Sequence, residues 1–146
     1  MTTLHVTVHG RPAPQGSKRA FVRAGRAVVI DDSANTKPWR AAVHSAIVDA
    51  LPPGWEPLRG PVEIAVLFVM PRPKSHYTAS GELKANAPTW VPTTPDLDKL
   101  LRSTLDAVVT AGAIADDRLI ALIRASKTYA AASPGASISI TPIQED

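Results

Sequence analysis

Residues 62–70 read Val-Glu-Ile-Ala-Val-Leu-Phe-Val-Met, a nearly unbroken apolar run that contains β-branched and aromatic side chains. A run of this length and composition is typical of a central strand. We therefore predict that residues 62–70 form the middle of a sheet and that the other elements are arranged around them.

The segments on either side predict further strands. Leu4, Val6 and Val8 alternate with polar residues, a pattern that indicates a half-buried strand. Gly25 lies in a short turn between the apolar segments 20–22 and 27–30, which predicts a hairpin. Two final strands are expected at residues 119–129 and 136–143.

Apolar residues at three- and four-residue spacing predict two helices. The first begins near Thr36 and stops at Pro52-Pro53-Gly54, and the second runs from about Asp96 to Val109. This order of elements predicts an α+β fold in which about two main helices pack on one mixed sheet. The length of 146 residues and the lack of an internal repeat indicate a single domain, residues 1–146.

Residues 71–95 break this regular pattern, because they contain five prolines and little apolar periodicity. Long irregular segments in small domains are usually functional or disordered. We predict a flexible loop that faces the substrate, with simple disorder as the alternative.

The composition excludes several classes of protein. Cysteine is absent, so neither a disulfide framework nor a thiolate zinc site can form. No apolar run approaches the roughly 20 residues that cross a bilayer, and the N-terminus lacks a signal-peptide pattern. These features predict a soluble, cytoplasmic protein with no membrane partner.

Charge is distributed unevenly along the chain. Residues 1–90 carry 11 Lys and Arg against 6 Asp and Glu, whereas residues 91–146 carry 5 against 7. A basic portion beside an acidic one suits a protein that grips a polyanion with one surface and attacks it at another. Ordinary charge scatter explains the same numbers, so charge alone leaves nucleic acid as one of two options.

Five aspartates are concentrated between Thr94 and Tyr129: Asp96, Asp98, Asp106, Asp116 and Asp117. Carboxylates are the hard oxygen ligands that Mg²⁺ prefers, and phosphodiesters are common substrates of such ions. Because the aspartates recur at element ends, where side chains from different segments can converge, we predict a metal site.

Each aspartate also has a purely structural interpretation. Asp96 is placed as a helix N-cap, and Asp98 lies in a first turn where the helix dipole favours any carboxylate. Asp98, Arg102 and Asp106 share one helix face, where they could form a solvated salt-bridge ladder. Asp116 and Asp117 could serve as turn residues. Spacing alone does not decide between these interpretations and a metal site.

Other kinds of catalytic site find little support. The sequence has no Gly-x-Ser-x-Gly nucleophile motif and no Gly-x-x-x-x-Gly-Lys-Ser/Thr phosphate loop. The four histidines lack a metal-ligand pairing, although His76 lies beside Arg72 and Lys74 and could contact phosphate.

Taken together, these motifs resemble the RusA-type Holliday junction resolvases, the crossover junction endodeoxyribonucleases that include phage-borne relatives. The resemblance rests on Pro95-Asp96-Leu97-Asp98-Lys99-Leu100, on Leu105-Asp106-Ala107 and on the distal Asp116-Asp117 pair. Gly10-Arg11-Pro12-Ala13-Pro14 and Arg72-Pro73-Lys74-Ser75-His76-Tyr77 support it, so that it spans nearly the whole chain.

The resemblance implies a fold, a reaction and a site. It implies a RusA-like α+β domain that acts as a homodimer, uses Mg²⁺ (with Mn²⁺ as a substitute) and cuts four-way or branched DNA symmetrically. The catalytic, metal-binding acids would be Asp96, Asp98 and Asp117, with Asp116 a less certain ligand. Arg102 occupies the position of a catalytic lysine in well-known members; it keeps the charge but cannot act as a base.

A set of basic residues is expected to hold the phosphates of the DNA backbone: Lys18, Arg19, Arg72, Lys74, His76, Lys99 and Lys127. Two other functions stay open at this point. One is a protein that binds branched DNA without cutting it, and the other is a scaffold that binds no DNA and whose aspartates are caps and ion pairs.

Overall fold

The computed structural model of the chain describes residues 3–16, 18–31 and 35–144. In chain order the elements are β1 (Leu4–His9), β2 (Lys18–Arg23), β3 (Arg26–Asp31), α1 (Thr36–Ala50), β4 (Val62–Met70), α2 (Leu97–Thr110), β5 (Ile120–Tyr129) and β6 (Gly135–Pro142). The α+β fold with two main helices, predicted from the sequence, is confirmed.

The main sheet has four strands in the order β1-β6-β4-β5. Strand β6 runs antiparallel to both β1 and β4, whereas β4 and β5 are parallel. The sheet is therefore mixed, as predicted, and β4 lies inside it because strands pair with both of its edges. Strand β5 pairs with β4 and forms an edge of this sheet.

One face of this sheet holds the core. Val6, Ile64 and Ile138 point to that face from three neighbouring strands and are almost fully buried. Val43 of α1 and Leu100 of α2 belong to the same apolar cluster, so both helices cover this face. The start of α2 is thereby held above the sheet.

The loop before β2 is fixed against both helices by polar contacts. The fully buried Ser103 hydroxyl of α2 donates a hydrogen bond to the Ala13 carbonyl at 2.6 Å, and Thr36 Oγ1 of α1 donates to the Pro14 carbonyl at 2.6 Å. The Gln15 amide donates to the Lys99 carbonyl at 2.9 Å. Residues 10–16 consequently lie beside the first turns of α2.

The hairpin differs from the expectation of one sheet. Strands β2 and β3 pair with each other and form a separate two-stranded sheet. Val22 of this hairpin is 76% exposed, so at this position the hairpin does not pack on the core.

Residues 71–95 contain little regular structure beyond a short 3₁₀ turn at Lys74–His76. Two isolated bridges order the segment: Tyr77 pairs with Leu83, and Trp90 pairs with Thr128 of β5. Its flexibility and its contact with a substrate stay predictions. Within the described residues, no helix is long and apolar enough to cross a membrane.

Candidate active site on α2 and β5

Asp96 occupies the N-cap position of α2, but its side chain makes no capping hydrogen bond. Its carboxylate instead lies 3.6 Å from Lys99 Nζ, and the Asp96 side chain is 54% exposed. Exposed ion pairs of this kind contribute little to stability. The capping interpretation therefore does not account for this residue, and its carboxylate is accessible to a ligand.

Asp98, Arg102 and Asp106 lie one helical turn apart along the same side of α2. A salt-bridge ladder was one interpretation of this row. Among the residues that the structure describes, no ion pair links Arg102 to either aspartate. Asp98 and Arg102 are exposed, so their charged groups face solvent without neutralising each other.

The two adjacent aspartates before β5 have different surroundings. Asp116 Oδ1 accepts a hydrogen bond from the Arg118 amide at 2.9 Å, as a turn residue does. This backbone N–H, followed by a hydrogen bond with the Asp117 side chain, holds the pKa of Asp116 below its usual value. Asp117 begins the short 3₁₀ turn Asp117–Leu119 and is exposed. Of the pair, Asp117 is the residue that lines the cavity between α2 and β5.

A cavity of about 240 Å³ brings α2 and the start of β5 together. Its lining residues are Arg102, Leu105, Asp106, Asp117, Ile120 and Ile123. Residues from two distant segments, Arg102 and Asp117, therefore reach one concave site. Asp98 lies one turn before Arg102 on the same helix face.

A second groove, of about 400 Å³, lies at the N-terminus of α2. It is lined by Arg11, Pro14, Thr94, Pro95, Asp96 and Lys99. Asp96 thus shares this groove with two cationic side chains, Arg11 and Lys99. A groove with this charge pattern suits a phosphodiester backbone, which the cations can bind.

The acids are compatible with Mg²⁺ in their chemistry but are not gathered into a closed cage. Within the described part of the chain, no three or more Asp, Glu or His side chains lie close enough together to hold a metal ion. Mg²⁺ is usually bound by one or two carboxylates together with water and substrate phosphates, so it does not need such a cage. Asp96, Asp98 and Asp117 are accessible carboxylates of this kind, and Asp96 and Asp117 line two separate grooves.

Two of the expected DNA-binding residues are engaged within the protein. Arg72 Nη1 donates to the Pro88 carbonyl at 2.8 Å and lies 3.2 Å from His76 Nδ1. The Arg72 guanidinium also lies 4.9 Å from the centre of the Tyr129 ring, and the His76 ring stands nearly perpendicular to that ring with 4.9 Å between their centres. These contacts fasten the 71–95 segment to the end of β5.

The remaining basic residues have varied settings. Lys74 is exposed at the 3₁₀ turn, Lys99 pairs with Asp96, and Lys127 binds two backbone carbonyls. Lys18 and Arg19 lie on β2, but their side chains are outside the described part of the structure.

Two residues of the site were not among the predicted catalytic, metal-binding or DNA-binding residues. Asp106 lines the cavity with Asp117, and its four-residue spacing from Arg102 was the signal that could have included it. Arg11 lines the groove beside Asp96. Nothing in the local sequence brings residue 11 to α2, because that proximity depends on the hydrogen bonds of Gln15 and Ser103.

Comparison with known proteins shows the family of the chain. The sequence pattern of the family described as "Endodeoxyribonuclease RusA" matches residues 9–141, nearly the whole chain. No curated protein matches the sequence. The family match includes both grooves and every acid discussed above, and the chain therefore belongs to the RusA family of endodeoxyribonucleases.

Proposed function

We propose that this protein is a Mg²⁺-dependent, structure-selective DNA endonuclease that resolves Holliday junctions and related branched DNA by paired phosphodiester hydrolysis. The observation that carries the proposal is that Arg102 and Asp117 line one cavity. Asp98 lies one helical turn before Arg102 on α2, next to this cavity in the chain. Family membership supports the nuclease reaction.

The acids and the arginine have separate roles in this proposal. In this proposal one or two of the carboxylates of Asp96, Asp98 and Asp117 would hold Mg²⁺, or Mn²⁺ in its place, together with water and the substrate phosphate, and Asp116 would support Asp117 from the turn. When bound, the ion supplies Lewis-acid polarisation of the phosphate and a water of lowered pKa. Arg102 binds the negative charge that develops on the phosphate; its guanidinium stays protonated and acts only through charge and hydrogen bonding.

The groove at the start of α2 holds the DNA strand next to the cut. Arg11 and Lys99 bind backbone phosphates beside Asp96, and Lys74 extends the contact from the 71–95 segment. Lys18 and Arg19 of the hairpin are further phosphate contacts in the proposal. Contacts of this kind give affinity without reading sequence.

A homodimer completes the proposal. A four-way junction has pairs of strands related by a two-fold axis, and a symmetric dimer presents the same site to both. Each protomer would then cut one strand.

The deciding experiment is cleavage of a labelled four-way junction by the purified protein, with Mg²⁺, with Mn²⁺ and with EDTA. We expect two symmetric nicks with either metal, none with EDTA, and much slower cutting of a linear duplex that contains the same sequences. Tight junction binding without nicks in any metal would contradict the nuclease proposal and favour a protein that binds branched DNA without cutting it. The presence of Arg102 in the position of a lysine supports this second candidate. An absence of binding even at low salt would favour the scaffold.

A further inference from the structure

Lys127 lies on β5 and reaches away from its strand to the segment that precedes α2. Its ammonium group donates hydrogen bonds to the Thr93 carbonyl at 2.6 Å and to the Pro95 carbonyl at 2.8 Å. Two of the three donors of the ammonium are thereby occupied. Lys127 itself is half-buried.

The backbone of β5 binds the same segment. The Val91 amide donates to the Lys127 carbonyl at 3.2 Å, and the Tyr129 amide donates to the Thr89 carbonyl at 3.0 Å. Residues 89–91 therefore follow the outer edge of β5, and the Lys127 side chain extends this attachment to Pro95. The next residue along the chain is Asp96, the N-cap of α2.

The same strand also fixes the distal acid. Asp117 lies in the 3₁₀ turn that leads directly into Ile120, the first residue of β5. Strand β5 pairs with β4 from Ile120 to Tyr129, with one register shift near its start, so the two ends of β5 are held on the same neighbouring strand. One strand thus sets the position of Asp117 at its start and, through Lys127, the position of the acidic end of α2.

We propose that Lys127 is a positioning residue: it holds the start of α2 on β5, so that Asp96 and Asp98 keep their places relative to Asp117. Its consequence for cutting rests on the nuclease function proposed above, whereas its effect on local order does not. This role differs from the expected phosphate contact, because a phosphate would have to compete with two backbone carbonyls for the same ammonium.

The chemistry of lysine suits this role. A compact ammonium with three rotatable donors can bind two carbonyls that diverge, whereas the planar guanidinium of arginine offers a fixed fork. Methionine has a similar length but no donor, so Lys127→Met would leave both carbonyls without this partner. Lys127→Arg would restore the charge and part of the hydrogen bonding.

The test compares Lys127→Met, Lys127→Arg and the wild-type protein, with Lys37→Met as the matched control, because Lys37 is exposed on α1 and lines neither groove. The first readout is amide hydrogen exchange in the metal-free protein. We expect the amides of Val91 and Leu100 to exchange about tenfold faster in Lys127→Met. Leu100 is the informative probe because its amide hydrogen-bonds to the Asp96 carbonyl at 3.1 Å.

The second readout separates positioning from phosphate binding. For Lys127→Met we expect the junction Kd and its salt dependence to change by less than about twofold, while the cleavage rate at saturating junction falls about 100-fold. The Mg²⁺ concentration for half-maximal rate should rise. Lys127→Arg should recover part of the rate, and Lys37→Met should equal the wild-type protein in every readout.

The inference would be overturned by unchanged amide exchange at Leu100 or by an unchanged cleavage rate in Lys127→Met. A shallower salt dependence of junction binding with unchanged exchange would also overturn it, because that result identifies Lys127 as a phosphate contact. If the wild-type protein does not cut junctions, the nuclease proposal fails and the exchange experiment still decides the role of Lys127. If Lys127→Met does not fold, Lys127→Gln replaces it, because its side-chain amide can still donate hydrogen bonds. We then expect the same changes in exchange and cleavage rate, but smaller ones.

Discussion

Arg102 of α2 and Asp117 at the approach to β5 line the same cavity, yet no ion pair joins them in the described part of the chain. Opposite charges that share a concave site without closing on each other leave space between them for a polar ligand. A phosphodiester satisfies both sides of such a site, since its oxygens bind the guanidinium and can share a cation with the carboxylate. This relationship underlies the predictions on catalysis.

Asp98→Asn tests the acid row of α2. The amide keeps the shape of the side chain but removes the negative charge, so metal binding and cutting should be lost while junction affinity stays within about twofold of the wild-type value. Rates from a gel-based cleavage assay and Kd values from a mobility shift, measured in parallel, give both quantities. Asp49→Asn on α1 is the control and should cut normally. Wild-type cutting by Asp98→Asn would show that the site is assigned wrongly.

Arg102 is tested with one substitution that keeps its positive charge and one that removes it. We expect Arg102→Lys to cut within about tenfold of the wild-type rate, and Arg102→Met to be slower by about 10²–10³, the usual effect of removing a group that stabilises transition-state charge. Single-turnover rates at saturating junction measure this directly. A new ionisation near neutral pH in the Arg102→Lys profile would indicate proton transfer by residue 102, contrary to a purely electrostatic role.

The fold was largely predictable because its signals are local. The run at residues 62–70 can only be a buried strand or a short buried helix, and its β-branched content favours the strand. The apolar stripe of the second helix gave a boundary near Asp96, and the structure begins α2 at Leu97. The separate position of the hairpin was not predictable from local pattern, since a strand pair looks the same whether or not it joins a larger sheet.

The site was only partly predictable, because charge in a sequence does not reveal its partner. Asp116 and Asp117 are adjacent and chemically identical, but the Arg118 amide donates to Asp116, whereas Asp117 lines the cavity. The contact of Arg72 and His76 with DNA stays a prediction, and their packing against Tyr129 was not foreseen from the sequence. Contacts across such distances in sequence depend on the fold and leave no periodic signal.

Arg11 is predicted to contact a backbone phosphate in the groove beside Asp96. Each phosphate contact that is lost should make the slope of log K against log salt shallower by about 0.9. Arg11→Met should therefore bind junctions more weakly at low salt and with this shallower slope, without changing which positions are cut. Fluorescence anisotropy across a salt series measures the slope. Lys37→Met serves as the control, and an unchanged slope for Arg11→Met would place residue 11 outside the DNA contact.

The hydrogen bond from Trp39 Nε1 to Thr104 Oγ1, 3.1 Å long, joins the two helices inside the core. Trp39→Phe removes the donor and leaves the fully buried Thr104 hydroxyl without it, which should lower the free energy of unfolding by about 1–3 kcal/mol. Thr104→Val in the Trp39→Phe background should cost less than it does alone, because the hydroxyl no longer has a partner to lose. Urea unfolding of the four proteins measures the coupling, and strictly additive effects would contradict it.

Gly135 is the first residue of β6, and any larger side chain at this position is predicted to lower the stability of the fold. It pairs with His9 of β1, and a Cβ at this position would collide with the Val8 carbonyl oxygen. That oxygen belongs to the backbone of a paired strand, so it cannot move aside without disturbing the β1–β6 pairing. Gly135→Ala should therefore lower the free energy of unfolding by about 1–3 kcal/mol. Gly60→Ala is the matched control, because a Cβ at Gly60 meets no atom within 4 Å and should leave the stability nearly unchanged. Equal midpoints of urea unfolding for the two variants would show that β1 and β6 can separate at this end without cost.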